Sequence, residues 1–120
     1  MSDDTPTEPD ATEARLALLR ELAAEDPDDA TTHFLLGREL LGHGRAAEAI
    51  PAFESAIRAD ADYAAAYRQL GNALEQAGRA EEAAATYRRG VDVAARTNDL
   101  QAGKEMNAFL KRLSRERPSP

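Results

Sequence analysis

Apolar residues recur at the three- and four-residue spacing of amphipathic helices along most of this chain. The first such segment covers residues 11–24, and Pro27 ends it because proline cannot continue a helix. Its apolar residues share one broad face: Leu16, Leu18, Leu19, Leu22 and Ala23. No segment shows the strict alternation of a strand. The pattern therefore predicts an all-α protein.

The helical pattern repeats at an interval of 34 residues. Residues 30–63 laid over residues 64–97 without a gap give nine identical pairs. These are Ala30/Ala64, Leu36/Leu70, Gly37/Gly71, Leu40/Leu74, Gly44/Gly78, Arg45/Arg79, Ala46/Ala80, Glu48/Glu82 and Ala49/Ala83. Two conservative pairs follow, Phe53/Tyr87 and Ile57/Val91. A repeat of this length predicts two copies of one helix-turn-helix unit.

Each copy carries the same motif. It consists of an aromatic or imidazole ring, the pair Leu-Gly, a large apolar residue, and further on an alanine and an aromatic residue. The first copy has His33, Leu36-Gly37, Leu40, Ala49 and Phe53, and the second has Tyr67, Leu70-Gly71, Leu74, Ala83 and Tyr87. Over residues 30–97 the chain resembles the tetratricopeptide repeat (TPR) family. The resemblance implies a right-handed α-solenoid of two repeats, 30–63 and 64–97. It also explains a glycine inside each first helix, since the partner helix crosses there.

The segments on either side complete the predicted domain, residues 11–115. Residues 11–24 resemble the second half of an incomplete repeat. Residues 98–115 are predicted to form a helix that closes the stack, as terminal repeats require. Gln101, Lys104 and Glu105 occupy the motif slots there, so a third repeat is not expected. The apolar face of this helix is Ala102, Met106, Phe109, Leu110 and Leu113. Residues 1–10 are predicted to be a disordered acidic tail and 116–120 a second tail.

Glycine, aspartate and proline mark the expected helix ends. Gly44 and Gly78 suit left-handed caps at the ends of the first helices. Asp28 or Asp29 can cap the start of the first repeat. Pro51 falls near the start of the following helix, where we expect a late start or a slight bend.

Composition and charge limit the classes of function. The 120 residues include no cysteine, which excludes disulfides and thiol chemistry. No run approaches the roughly 20 apolar residues of a membrane span, and the start lacks a secretion signal, so we expect a cytoplasmic protein. Frequent Arg and Ala indicate a GC-rich, bacterial source. The net charge of −7 makes nucleic acid an improbable partner.

No constellation for catalysis is present. His33 and His43 stand ten residues apart without a second ligand at metal-binding spacing. Phosphate-binding loops and hydrolase motifs are also lacking. The sequence therefore predicts a protein that is not an enzyme and that needs no cofactor or metal.

In the family, peptides commonly lie in the concave groove lined by the first helix of each repeat. Carried onto this chain, the resemblance implies these groove residues: Phe34, Arg38, Leu41, Arg68, Asn72, Gln76 and Met106. Arg38, Arg68 and Asn72 would grip a carboxylate. Phe34, Leu41 and Met106 would hold an apolar side chain. Alternatively, Phe34 and Leu41 pack the first helix and the arginines are simply solvated. The chaperone-tail clamp of some family members is rejected, because Gly103 breaks its pattern.

Three functions remain open. The leading hypothesis is a scaffold or interaction module that binds a peptide or helix of another protein. A structural role through self-association, for example as a homodimer, is the alternative, because residues 1–29 sum to −8 and residues 98–120 to +2. A weaker alternative is contact of an acidic partner or nucleic acid with the basic last helix.

Overall fold

The computed structural model describes residues 11–116, where six α-helices are joined by short connections and no strand is present. The predicted tail at 1–10 and all but the first residue of the tail predicted at 116–120 lie outside the described residues. The helices are α1 (Ala11–Glu25), α2 (Ala30–Gly42), α3 (Ala46–Ala59), α4 (Ala64–Gln76), α5 (Ala80–Thr97) and α6 (Leu100–Glu116).

The helices stack in chain order into a solenoid. α2 with α3, and α4 with α5, form the two predicted helical hairpins, while α3 packs on α4 and α5 on α6. The first helices α2, α4 and α6 also touch in sequence, so they line one side of the stack. The molecule measures 57 × 35 × 21 Å along its principal axes. The predicted all-α solenoid is confirmed.

A glycine facing an aromatic ring sets the helix separation in each repeat. A Cβ added at Gly37 would lie 2.5 Å from Cε1 of Phe53, and one at Gly71 would lie closer still to Tyr87. Both rings are completely buried. Such distances are far below van der Waals contact, so only glycine lets the two helices approach this closely. The physical reason for the repeated Leu-Gly pair is therefore confirmed.

The helix ends follow the predicted chemistry. Gly44 and Gly78 have φ angles of 74° and 78°, which favour glycine. At the start of α2, Oδ1 of Asp29 accepts hydrogen bonds from the backbone N–H of Thr31 and of Thr32. These contacts satisfy donors that a helix start leaves free.

Pro51 lies deeper in its helix than the sequence indicated. Because α3 begins at Ala46, Pro51 is the sixth residue of the helix and belongs to its second turn. The carbonyl oxygen of Ala47 consequently has no backbone donor four residues ahead. Ala47 is exposed, so water can satisfy that oxygen at little cost.

The apolar face predicted for α1 is only partly covered. Leu16 and Ala23 are buried, whereas Leu18 and Leu22 are exposed. The reason is that α1 packs against α2 and reaches α3 only through the ion pair of Arg20 with Glu48. Of the five residues on the predicted apolar face, these two leucines do not pack against the stack.

The last helix, α6, starts two residues later than the 34-residue interval predicts. α4 starts 34 residues after α2, from Ala30 to Ala64, but α6 starts 36 residues later, at Leu100. The cause is that α5 has 18 residues where α3 has 14, while the connection that follows shrinks from four residues to two. In this shifted register Ala102 and Met106 take the places of Ala66 and Leu70, and all four are buried.

Candidate peptide-binding groove

Five of the seven predicted groove residues reach solvent on the side formed by α2, α4 and α6. Arg38 and Gln76 are exposed, and Leu41, Arg68 and Asn72 are partly exposed. They belong to two neighbouring helices, α2 and α4. The structure thus brings these five residues to one face of the stack.

The other two predicted residues, Phe34 and Met106, lie beneath that face. Phe34 is 7% exposed and its ring stacks on Tyr63 with 4.8 Å between ring centroids. Met106 is completely buried, and its sulfur occupies the space beside Gly90 of α5. Met106 consequently offers no surface to a ligand in this structure. Its role here is to pack α6 on α5.

The part of the groove between α2 and α4 keeps an unpaired cation. Arg38 forms no ion pair with any described residue, and its guanidinium carbon lies 5.8 Å from the ring centroid of Phe34. Leu35, one helical turn before Arg38 and therefore its neighbour on the helix surface, is 43% exposed. Burial raises the pKa of the Tyr63 hydroxyl, so this residue stays neutral at physiological pH. We name this region, with Leu35, Arg38, Leu41 and Gln76, the open seam.

Between α4 and α6 the corresponding residues are bonded to each other. Arg68 donates through NH1 to Glu105, and Nε2 of Gln101 donates to the other oxygen of Glu105 at 2.9 Å. The hydrogen bond from Arg68, followed by that from Gln101, lowers the pKa of Glu105. The positive charge of Arg68 is therefore neutralised within the protein.

A second group of polar residues joins the same two helices. The hydroxyl of Tyr87 lies 2.7 Å from Oδ1 of Asn72 and 2.6 Å from Oε2 of Glu75. Arg112 of α6 donates to Oε2 of Glu75 at 2.9 Å. One hydroxyl proton serves one acceptor, so all groups are satisfied when Tyr87 donates to Glu75 and the amide of Asn72 is turned to donate to Tyr87.

The charge state of Glu75 depends on these contacts. Burial raises its pKa, but the hydrogen bonds from Arg112 and Tyr87 outweigh burial, so the net pKa is lowered. The pKa of Tyr87 is raised, first by burial and then by Glu75. Both shifts keep a carboxylate beside a neutral phenol. We name this region between α4 and α6, with Arg68, Asn72, Glu75, Glu105 and Arg112, the latched seam.

The contacts in the two seams revise the predicted site for a carboxylate. Of the three residues expected to hold it, Arg68 and Asn72 already have partners inside the latched seam. Arg38 alone of the three keeps its charge available. Leu35 was missed in the sequence, although a signal exists: it stands on an exposed face where the second repeat has the polar Gln69.

The described residues show no second kind of site. Nε2 of His33 lies 2.8 Å from the carbonyl oxygen of Pro27, and the exposed His43 lies 3.4 Å from Glu39. Between residues 11 and 116 no group of three His, Cys, Asp or Glu side chains is placed to hold a metal ion. In the same range no helix combines the length and the apolar character needed to cross a bilayer.

Six stacked helices, with a glycine against an aromatic ring in each of two hairpins, define an α-solenoid built from helical repeats. The family model for the tetratricopeptide repeat matches residues 34–99. The chain therefore belongs to the TPR family, whose domains are protein-interaction modules.

Individual relatives support the same assignment. A TPR repeat-containing protein of Pseudomonas aeruginosa is 34% identical over 99 residues, which cover 82% of this chain and 94% of the relative. A solved protein of Bordetella parapertussis is 30% identical, with a TM-score of 0.73, over 84% of this chain and 88% of the other. The TPR2B domain of yeast Sti1 shares the fold, with a TM-score of 0.81 at 20% identity over 89% of this chain and 86% of that one.

Proposed function

We propose that this protein is a non-enzymatic interaction module whose open seam binds an extended segment of another protein. The observation that carries the proposal is Arg38, an unpaired guanidinium beside the exposed Leu35 and the partly exposed Leu41. A free cation next to apolar surface is a common way to anchor a peptide. In contrast, the latched seam already satisfies its own charges.

The chemistry of the open seam describes the ligand. Arg38 suits a carboxylate, either an acidic side chain or a chain end, through charge-assisted hydrogen bonds. Leu35 and Leu41 suit one apolar side chain next to that carboxylate. Gln76 supplies a neutral amide that can pair with the ligand backbone. The yeast domain of the same fold was solved as a complex with pHsp70, so this architecture can hold a protein ligand.

Peptide titration tests the proposal. A library of short peptides that combine one acidic and one apolar residue is screened, and the best binder is titrated while backbone amide shifts are followed. We expect shifts at Leu35, Arg38, Leu41 and Gln76. Arg38→Ala should weaken binding by about tenfold, the loss of one charge-assisted hydrogen bond.

The matched control is Arg89→Ala, which removes an exposed arginine from α5, outside the groove. That variant should bind as the wild type does. Shifts confined to α3 and α5, or an Arg38→Ala variant with undiminished affinity, would contradict the proposal.

The cytoplasm is the proposed place of action, on the expectation drawn from the sequence. Cell fractionation with detection of the native protein tests this directly. Recovery of the protein in the membrane or outside the cell would contradict it.

A further inference from the structure

The two terminal helices of the described chain are complementary halves of a repeat. In the 34-residue register, α1 occupies the place of a second helix, like α3. In the shifted register, α6 occupies the place of a first helix, like α4. Among the described residues, α1 has no first helix beside it and α6 has no second helix.

Burial in α1 shows which face lacks its partner. Leu16, on the face toward α2, is completely buried. Leu18 and Leu22 take the places of Ala52 and Ala56 of α3, which are 8% and 0% exposed. Leu18 is 55% exposed and Leu22 is 41% exposed. The open face of α1 is therefore the one that a first helix of the same repeat would cover.

The corresponding face of α6 is open as well. Met106, on the face toward α5, is completely buried. Leu100 takes the place of Ala64, and its exposure is 71% where that of Ala64 is 5%. Asn107 takes the place of the buried Gly71 and is exposed. A second helix of the same repeat would cover these two residues.

We propose that α1 of one copy packs on the open face of α6 of another copy, so that two half-repeats meet as the two helices of a repeat do, with Asn107 and Leu19 in the places of the glycine and the aromatic ring. The interface joins different surfaces of the two copies, head to tail. The occupant is a second copy because each copy supplies the half that the other lacks. Leu22 would then lose its contact with water near Leu100, and Leu18 would lose its own further along α6, near Asn107.

Charge favours the same pairing. Lys104 and Lys111 lie along the open face of α6, and Glu21 and Glu25 lie along the open face of α1. None of the four forms an ion pair within residues 11–116. Helices of a repeat run antiparallel as a hairpin, and Glu21 takes the place of Ser55, which lies beside His33 at the start of its first helix. The same register sets Glu21 next to Lys104, a pair of opposite sign.

Two other occupants fit less well. The ten residues before α1 hold four acidic residues, two prolines and no apolar residue after Met1, so they lack an apolar face to cover Leu18 and Leu22. A symmetric pair of α1 helices would bring Glu21 and Glu25 of both copies together. Like charges facing each other are unfavourable.

One helix on one helix is a small interface, so assembly should depend strongly on concentration. A head-to-tail interface leaves a free α1 and a free α6 at the two ends, which permits further growth. We expect the average mass of the full chain in sedimentation equilibrium to pass beyond that of a dimer as concentration rises. High salt should weaken the association.

Two single variants, one at each end, test the geometry. Leu18→Lys puts a positive charge opposite the lysines of α6, and Leu100→Glu puts a negative charge opposite the glutamates of α1. Each variant alone should stay monomeric at concentrations where the wild type assembles, a loss of at least tenfold in affinity. An equimolar mixture should form one dimer and no larger species, because each variant keeps one intact half.

Ala85→Lys, an exposed position on α5, is the control and should assemble as the wild type does. All three positions are exposed, so helical content by circular dichroism should be unchanged. A wild-type monomer at every concentration overturns the proposal. So does a Leu100→Glu variant that still dimerises alone, which would indicate a symmetric α1 pair. Neither result affects the open seam, which is tested separately.

Discussion

The two repeats use the same glycine-and-aromatic contact but differ in the tip of the ring. In the first repeat Phe53 ends in carbon, and the residues in the places of Asn72 and Glu75 are Arg38 and Leu41. In the second repeat the hydroxyl of Tyr87 reaches Asn72 and Glu75. One oxygen atom therefore links α5 to α4 in the second repeat alone.

The difference extends to the groove. Glu75 continues the contacts of Tyr87 to Arg112, which ties α6 to α4. No such chain of contacts joins α2 to α4, where Arg38 stays unpaired. A scaffold that repeats its backbone can therefore keep one seam available to a ligand and close the next with a few polar atoms.

The largest expected effect is the loss of stability when Gly71 or Gly37 is replaced by alanine. Gly71→Ala should lower the free energy of unfolding by about 2 kcal/mol, because the new Cβ collides with the ring of Tyr87. Gly37→Ala should cost less, since Phe53 has no hydroxyl contact to hold its ring in place. Urea unfolding measures both. Gly42→Ala is the control, with no atom within 4 Å of the added Cβ, and it should not destabilise. A greater loss for Gly37→Ala would contradict the difference in ring mobility.

The second prediction concerns removal of the hydroxyl oxygen of Tyr87. Tyr87→Phe should lower the free energy of unfolding by about 1 kcal/mol, the usual net value of such a hydrogen bond. The reverse change, Phe53→Tyr, should give no gain, because Arg38 and Leu41 offer no acceptor. Chemical denaturation of both variants checks this. A stabilised Phe53→Tyr would show that the first repeat can form the same contacts.

The third prediction concerns pH. The lowered pKa of Glu75 means that the folded state holds its carboxylate charged below the ordinary value of 4.5. Its contribution to stability is present above pH 4.5 and is lost as the pH falls through the lowered pKa. Glu75→Gln should therefore reduce the loss of stability on acidification below pH 4.5. Gln76→Ala, an exposed change on α4 that removes no titratable group, should leave the pH profile unchanged. Identical profiles for the wild type and Glu75→Gln would contradict the prediction.

The smallest expected effect is the difference in stability between variants of the two groove arginines, Arg38 and Arg68. Arg38→Ala should change the free energy of unfolding by less than about 0.5 kcal/mol, as for most exposed positions. Arg68→Ala should cost about 1 kcal/mol, because Glu105 loses its partner where both side chains are only about 30% exposed. Thermal unfolding of the pair compares them. A larger loss for Arg38→Ala would mean that the open seam is also bonded internally.

Local signals in the sequence were sufficient for the fold. The family resemblance explained the glycine inside each first helix as the place where the partner helix crosses, and Gly44 and Gly78 marked the helix ends. These features depend on neighbours within one hairpin. Pro51 was expected near the start of α3, but α3 begins at Ala46, which puts Pro51 in the second turn.

The groove was harder to predict because its contacts join residues far apart in the chain. Arg68 and Glu105 are 37 residues apart, and so are Glu75 and Arg112. When the 34-residue repeat is extended without a gap, α6 is aligned two residues out of register. That alignment did not reveal the two pairs, and it assigned Met106 to the groove although Met106 is buried. Side-chain pairing between helices also depends on rotamers, which a pattern of residue types does not specify.

The longer α5 has a practical consequence for anyone who engineers the array. A standard 34-residue unit spliced directly after Thr97 would keep the uniform spacing and lose the two extra residues that α5 has introduced. The splice would also remove Asn98, whose left-handed φ of 61° ends α5 and starts the turn into the next helix. A junction at Leu100 preserves the phase, and the added unit would present its glycine to its own second helix.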